Sequence, residues 1–353
     1  MDLDELYYDA VDLLKELIAV PSFSKEETRA ADVLQSYIER QGVAAFREGN
    51  NVWCVSPGLD LKKPVILLNS HIDTVKPVAG WTKNPFEAFE SDGFLYGLGS
   101  NDSGASLVAL LHAFLWLTRK TQPFNLIFLA SCEEEISGKN GIERVLPILP
   151  PIAFAVVGEP TQMHAATAEK GLMVLDCTVR GVSGHAAREE GDNAIYKAMK
   201  VVERFRTYEF PDRSETLGKV KMSVTQIQAG TQHNVVPDRC TFVVDVRTTD
   251  RYTNKEIFEM IRKAVDCEVE ARSFRLNSSG ISLLHPFVRR AVMLNRKTFG
   301  SPTLSDQALI PYPSVKIGPG DSARSHTADE YIRLNEIREG LELYVKLLDD
   351  LIL

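Results

Sequence analysis

The chain has 353 residues, 44% of them hydrophobic and 25% charged, a composition typical of one large or two ordinary globular domains. Its 48 acidic and 40 basic residues are interspersed and give a net charge of −8, which argues against general affinity for nucleic acids or membranes. No secretion signal or membrane span is visible, and the five cysteines are scattered, so we expect a cytoplasmic protein with reduced thiols.

The first half of the chain alternates helical and strand patterns. Apolar residues at helical spacing predict a helix over 4–19, and the stretch from Ser24 to Glu27 predicts a capping box that opens a second helix. A further helix is predicted over 103–118, and strands are predicted over 51–56, 64–70, 124–130 and 153–157. This alternation indicates an α/β fold, a mostly parallel sheet with helices on both faces.

The pattern changes near Gly171, where a β-α-β-β-α-β order begins. Strands are predicted over 172–180, 220–228, 240–247 and 268–276, with helices over 193–206 and 254–265. That order is typical of a ferredoxin-like domain. We therefore predict a catalytic metal-binding domain of residues 1–171 and 284–353, interrupted by a lid or dimerisation domain of residues 172–283. The outer domain resumes with a helix over 286–299, a strand over 314–317 and a helix from Asn335.

Side chains typical of metal ligands follow several predicted strands. His71 and Asp73 come at the end of the apolar stretch 64–70, where α/β sheets commonly carry functional residues. Others stand at further strand or loop ends: Asp102, Glu133, Glu134, Glu135, Glu159 and His326. Two imidazoles with several carboxylates suit borderline divalent metals, of which zinc is the leading candidate. The alternatives are a hydrogen-bonded core histidine at 71 and a solvated acidic turn at 133–135.

Two other residues have simpler interpretations. His112 lies on an apolar helical stretch, which predicts a core histidine without a catalytic role. Cys132 adjoins the acidic triplet, but no base accompanies it at a readable spacing, so a buried thiol is favoured over a nucleophile.

The sequence resembles the dinuclear-zinc deacylase and exopeptidase family, which includes acetylornithine deacetylase, succinyl-diaminopimelate desuccinylase, aminoacylase and glutamate carboxypeptidase. The resemblance runs almost end to end and looks closest to acetylornithine deacetylase near the C-terminus. It is carried by Ser70–Val75, Gly80–Thr82, Asn84–Phe86, Asp92–Gly97, Asp102, Glu134-Glu135, Gly158–Thr161, Gly181–His185, Gly318–Gly320 and His326–Tyr331. Two positions depart from the family pattern: Leu98 replaces an arginine and Gly104 replaces a lysine.

The resemblance implies two divalent metal ions, zinc or alternatively cobalt. His71 and Glu159 would hold one ion, Glu135 and His326 the other, and Asp102 would bridge them. Asp73 can accept the second ring N–H of His71 and so fix its tautomer. Glu134 would act as general base, taking a proton from the attacking water and returning it to the leaving amine.

The resemblance also implies residues that contact the substrate. His185 would reach the partner subunit's active site in a homodimer formed through the inserted domain, and would stabilise the oxyanion; the alternative is an exposed turn histidine. Asn234 and Arg247 look like substrate binders, although Arg247 could equally form a structural ion pair. Gly320 would offer a backbone N–H. Apart from the resemblance, Arg324 stands two residues before His326, so it could bind a succinyl carboxylate or pair with Asp321 or Asp329.

The resulting expectation is a hydrolase that removes an acetyl or succinyl group from a small amino acid, N-acyl-ornithine or N-acyl-citrulline, in arginine biosynthesis. A dipeptidase or aminopeptidase on the same scaffold is the nearest alternative. A binding protein without catalysis is disfavoured by Glu134, because binding alone has no use for an unliganded base. A two-metal phosphoesterase is disfavoured by the absence of a phosphate-binding loop.

Overall fold

The computed structural model describes residues 2–353 and divides into two compact units. Unit 1 comprises the chain up to Thr167 together with Gly280–Phe299 and Ser305–Leu353. Unit 2 comprises Ala168–Ser279 and the short return Gly300–Leu304. The inserted domain was predicted over 172–283; the return at 300–304 carries no signal in the sequence.

Eight helices and eighteen strands occur in the described residues. The helices are α1 Leu3–Ile18, α2 Thr28–Arg40, α3 Ala105–Leu117, α4 Ile142–Val145, α5 Ala194–Thr207, α6 Asn254–Ala264, α7 Pro286–Met293 and α8 Leu334–Leu348. The strands are β1 Ala45–Glu48, β2 Asn51–Val55, β3 Val65–His71, β4 Phe89–Ser91, β5 Phe94–Tyr96, β6 Asn125–Ser131, β7 Phe154–Val157, β8 Ala165–Glu169, β9 Gly171–Arg180, β10 Gly184–His185, β11 Lys221–Ala229, β12 Val235–Val236, β13 Arg239–Thr248, β14 Glu268–Ala271, β15 Ser279–Gly280, β16 Thr298–Ser301, β17 Ser314–Lys316 and β18 Tyr331–Arg333.

Two predicted helix boundaries are wrong, and strand β14 ends at Ala271 rather than at residue 276. Helix α2 begins at Thr28 without a side-chain cap, because the Ser24 hydroxyl donates instead to Asp73, 2.7 Å away. Helix α7 ends at Met293 rather than at residue 299, and Asn295 adopts a left-handed backbone conformation (φ 59°) that the helix cannot continue through. Hydrophobic spacing encodes neither a hydrogen bond between residues 49 apart nor a left-handed residue after a helix.

The central sheet positions the candidate site. Its order is β1-β2-β6-β3-β7-β17-β8-β15, with β16 paired to β8. Strands β6, β3, β7 and β17 run parallel, so their carboxyl ends meet at one edge. His71 ends β3 directly opposite Ser131, which ends β6. The segments that follow these strands carry the acidic triplet, Glu159 and His326 to that edge. The prediction of a mostly parallel sheet covered by helices is confirmed.

Helix α3 packs its apolar surface into the main core of unit 1. Twelve of its residues are buried, which explains why its sequence is apolar on every side rather than along one stripe. Unit 2 has its own core beneath the antiparallel sheet β11-β13-β9-β14, the order of a ferredoxin-like domain. Alternate residues of β9 and β13 are buried with the apolar faces of α5 and α6.

Candidate functional site

His71 is almost completely buried, at 2% exposure, and points both ring nitrogens at oxygen atoms. Its Nδ1 lies 2.9 Å from the backbone carbonyl oxygen of Asp73 and 3.6 Å from the Asp73 carboxylate. Because a carbonyl can only accept, Nδ1 carries the proton and donates to it. The nearest acceptor is thus the main chain of Asp73, and its carboxylate, the predicted acceptor, lies next to it. In the neutral ring this leaves the Nε2 lone pair free for a metal.

The Asp73 carboxylate instead organises the acidic triplet. It accepts hydrogen bonds from the backbone N–H groups of Glu134 and Glu135, at 3.0 and 3.1 Å. The Glu133 carboxylate faces away and accepts from the side chain of Asn140. Asp73 therefore fixes the turn that presents Glu134 and Glu135, but not Glu133, toward His71.

The structure brings the predicted metal ligands together. Donor atoms of His71, Glu134 and Glu159 lie within 4.8 Å of one another, as do those of His71, Asp102 and Glu135. The His326 Nε2 atom completes the second group, 3.0 Å from a Glu135 oxygen and 3.7 Å from an Asp102 oxygen. Glu134, predicted as a base, thus lies as close to the first group as a ligand would.

Electrostatic repulsion among these carboxylates is large. Burial, followed by the charge of Asp102, raises the pKa of Glu159 to about 8. Burial also raises the pKa of Glu134 well above its usual value, with Glu159 adding to the shift. The hydrogen bond that His326 donates to Glu135 raises the pKa of His326 to about 9. Buried carboxylates this close need positive charge between them, and a set of nitrogen and oxygen donors fits zinc or a similar dication.

Two buried carboxylates behind this cluster were missed by the sequence analysis. Asp306 is 3% exposed and accepts a hydrogen bond from Ser131, and burial raises its pKa to about 6. Glu330 is 2% exposed and accepts from the backbone of the Asp102 turn. Glu330 falls inside the quoted C-terminal motif, four residues after His326, so that motif could have indicated it. Asp306 follows no strand pattern and carries no such signal.

Three residues predicted to contact the substrate belong to unit 2: His185, Asn234 and Arg247. His185 lies on the short pair β10–β12 and is exposed, and the carbonyl of Asn234 accepts the N–H of Ala186 beside it. His185 and Asn234 therefore lie on two adjacent segments of the β10–β12 pair. The guanidinium of Arg247 forms two hydrogen bonds with Asp245, at 2.9 and 3.1 Å. Their roles toward substrate stay predictions.

Gly320 and Arg324 belong to the loop of His326 in unit 1. Gly320 has φ +90°, a conformation that favours glycine. Arg324 binds Glu336 through both terminal nitrogens, at 2.6 and 2.9 Å, and stacks on the ring of Tyr331. Its ion-pair partner is thus Glu336 rather than Asp321 or Asp329.

The simpler interpretations of two residues agree with the structure. His112 is fully buried between Tyr37 and the carbonyl of Val108. Cys132 is buried, and burial with neighbouring carboxylates raises the pKa of its thiol to about 12, which disfavours a thiolate nucleophile. All five cysteines are unpaired. Across residues 2–353, no helix combines the length and apolar character that crossing a bilayer requires.

Comparison with known proteins identifies the family. The profile of peptidase family M20/M25/M40 matches residues 67–350, which includes every predicted metal ligand. The chain belongs to peptidase family M20/M25/M40. As an M20 protein it is a metal-dependent hydrolase of amide bonds, and the resemblance stated from its motifs is confirmed.

Relatives of this M20 chain cover nearly its whole length. It is 26% identical to acetylornithine deacetylase of Myxococcus xanthus over 92% of each chain. It is 25% identical to succinyl-diaminopimelate desuccinylase of Corynebacterium glutamicum over 95% of each. The crystal structure of aminopeptidase PepT from Bacillus cereus superposes with a TM-score of 0.79 at 20% identity, covering 98% of both chains. At that identity the likeness shows the fold alone.

Proposed function

We propose that this chain is a dinuclear zinc amidohydrolase that removes an N-acyl group from a small amino acid, with N-acyl-ornithine or N-acyl-citrulline as substrate, in arginine biosynthesis in the cytoplasm. The observation that carries the proposal is the pairing of Glu134 and Glu135. One carboxylate lies against His326, while its neighbour lies beside His71 and Glu159. The names of the two relatives, a deacetylase and a desuccinylase of amino acids, support this class of substrate.

The residues divide the reaction among themselves. Bound zinc ions would lower the pKa of a water molecule and polarise the carbonyl of the scissile amide. Glu134 takes the proton from the attacking water and delivers it to the leaving amine, a role supported by its position beside His71 and Glu159. Asp73 holds both the His71 ring and the turn of Glu134, so it orients ligand and base together.

The proposed assembly is a homodimer through unit 2. Two large apolar side chains of α5, Tyr196 and Met199, are 68% and 63% exposed, and Val182 near His185 is 56% exposed. Such a surface is typical of a protein contact. In the dimer, His185 of each subunit serves the other subunit's site and stabilises the oxyanion, while Asn234 and the Gly320 N–H bind substrate. Arg247 would bind the substrate carboxylate only after leaving its ion pair with Asp245.

A dipeptidase or aminopeptidase is the second candidate, supported by the fold shared with aminopeptidase PepT. The two differ in the substrate's free α-amine, which a dipeptide has and an amino acid acylated on its α-nitrogen lacks. The test measures hydrolysis of a panel of N-acetyl and N-succinyl amino acids alongside dipeptides and tripeptides, with added zinc or cobalt and with a chelator control. Preference for acyl-ornithine or acyl-citrulline supports the proposal. Preference for peptides with a free amine replaces it with the second candidate.

A further inference from the structure

Glu330 ties together the two loops that carry Asp102 and His326. Its carboxylate is buried and accepts three backbone N–H groups, from Gly99 at 3.0 Å, Asn101 at 2.8 Å and Asp102 at 2.9 Å. These donors belong to consecutive turns of the segment that ends at the bridging ligand. Glu330 itself stands four residues after His326, so one carboxylate connects the two ligand-bearing segments.

A second tie joins the same loops. The Asn101 side-chain amide donates to the Asp321 carbonyl at 3.1 Å and to the Ser325 hydroxyl at 3.3 Å, and its oxygen accepts the Asp321 N–H at 3.0 Å. The approach is close enough to require glycine at residue 320, because a Cβ there would lie 2.4 Å from the Asn101 oxygen. The loops therefore pack against each other through specific bonds.

We propose that Glu330 is a positioning residue of the metal centre, which locks the Asp102 turn to the His326 loop so that both ligands reach the same ion. This inference rests on the dinuclear centre proposed above. His71 and Glu159 directly end or follow strands of the central sheet. His326 lies on a loop with a left-handed backbone (φ 58°) and its side chain is 52% exposed. The ion held by Glu135 and His326 thus depends on the tie more than the other ion does.

The chemistry of the tie explains why a carboxylate stands at residue 330. An ionised carboxylate has two acceptor oxygens and can serve three N–H donors at once. Glutamine offers one acceptor oxygen and turns an NH₂ group toward N–H groups, so at least one buried donor loses its partner. Glu330→Gln is nearly equal in volume, so its main effect falls on the hydrogen bonds of the Asp102 turn.

The test measures binding of zinc and cobalt to metal-free protein by competition with a chelator, for wild type, Glu330→Gln and Glu330→Asp. We expect Glu330→Gln to bind one ion with about tenfold to hundredfold lower affinity and the other with a smaller loss. Excess metal should restore kcat with KM unchanged. The matched control is Glu48→Gln, which breaks the ion pair with Arg144 on segments that carry no predicted metal ligand, so it should keep both affinities.

Three results would contradict either the role of Glu330 or the dinuclear centre on which it rests. A folded Glu330→Gln protein that binds both ions as wild type does overturns the proposal. If Glu330→Gln does not fold, Glu330→Asp decides in its place, because its shorter side chain cannot reach all three backbone N–H groups, and wild-type affinity for both ions in that variant overturns the proposal equally. Wild-type protein that binds fewer than two ions refutes the dinuclear centre itself, which is a separate failure that the same titration reports.

Discussion

Two buried histidines of unit 1, His112 and His71, differ in the charge of the groups around them. His112, inside helix α3, has one partner for each nitrogen: the Tyr37 hydroxyl 2.6 Å from Nε2 and the Val108 carbonyl 2.7 Å from Nδ1. Burial lowers its pKa to about 4. Burial acts on His71 in the same direction, but the carboxylates of Glu134, Asp102 and Asp73 outweigh it and raise the pKa well above the usual value.

The difference shows that burial alone does not identify a functional histidine. His112 is satisfied by neutral groups and needs nothing from outside the chain. His71 faces more negative charge than one imidazole can balance. Such an excess of negative charge favours the binding of a cation. Variants that separate charge from packing can therefore test the comparison.

The largest effect is expected from Glu134→Gln. The change keeps the size of the side chain but removes the base, so kcat should fall by about a hundredfold to ten-thousandfold or more. Metal content, measured by mass spectrometry, should remain at the wild-type level if Glu134 is no ligand. The matched control is Glu133→Gln, whose carboxylate faces Asn140, and which should lower stability while keeping activity per folded molecule. Near-normal activity in metal-loaded Glu134→Gln would remove Glu134 from the mechanism.

The next effect concerns His185, the exposed histidine of unit 2. If it donates to the oxyanion in the partner's site, His185→Ala should lower kcat by about a hundredfold to a thousandfold. Random mixing with Glu134→Gln should then restore about a quarter of all sites, because half the dimers are mixed and each has one intact site. Activity that does not rise on mixing, or a fully active monomer in sedimentation, would contradict the shared site.

The third prediction compares alanine variants of the two histidines directly. His112→Ala removes two hydrogen bonds and leaves a cavity, so unfolding free energy should fall by about 2–4 kcal/mol while metal affinity is kept. His71→Ala should instead abolish tight binding of metal. Urea denaturation and chelator competition measure the two quantities on both variants. Equal loss of metal from His112→Ala would show that the two histidines are not separable.

The chain order of the fold and most of the metal cluster follow from the sequence, and the reason is physical. Buried parallel strands are continuous apolar runs, and their carboxyl ends converge, so His71 and Glu159 could be placed from their positions alone. The hydrogen-bond partners of Ser24, Glu330 and Arg324 could not be predicted from the sequence. Each is chosen by packing between segments 12 to more than 200 residues apart, and no periodicity records such distances.

The pH dependence of stability tests whether His112 is neutral in the folded protein. The pKa of His112 is about 4 in the folded protein and roughly 6.5 in the unfolded chain, so only the unfolded chain gains a proton between these values. Its contribution is present above pH 6.5 and is lost as the pH falls toward 4, by about 2 kcal/mol at pH 5. The stability difference between wild type and His112→Gln should therefore be smaller at pH 5 than at pH 7. A difference independent of pH would mean that His112 is not held neutral.

The smallest effect on activity is expected from Arg324. Like His112, this side chain already has partners within the protein. Glu336 engages both terminal nitrogens, and the Tyr331 ring covers the guanidinium at 4.8 Å. A group so engaged would have to break its ion pair before it could bind a succinyl carboxylate. We therefore expect Arg324→Ala to lower stability and to change the ratio of kcat/KM for acetyl and succinyl substrates by less than about twofold. The comparison needs both acyl forms of ornithine and of citrulline, with Glu336→Gln as the variant that frees the guanidinium. A ratio that shifts toward acetyl substrates in Arg324→Ala would assign Arg324 to the acyl carboxylate, because only a direct contact with that group distinguishes the two substrates.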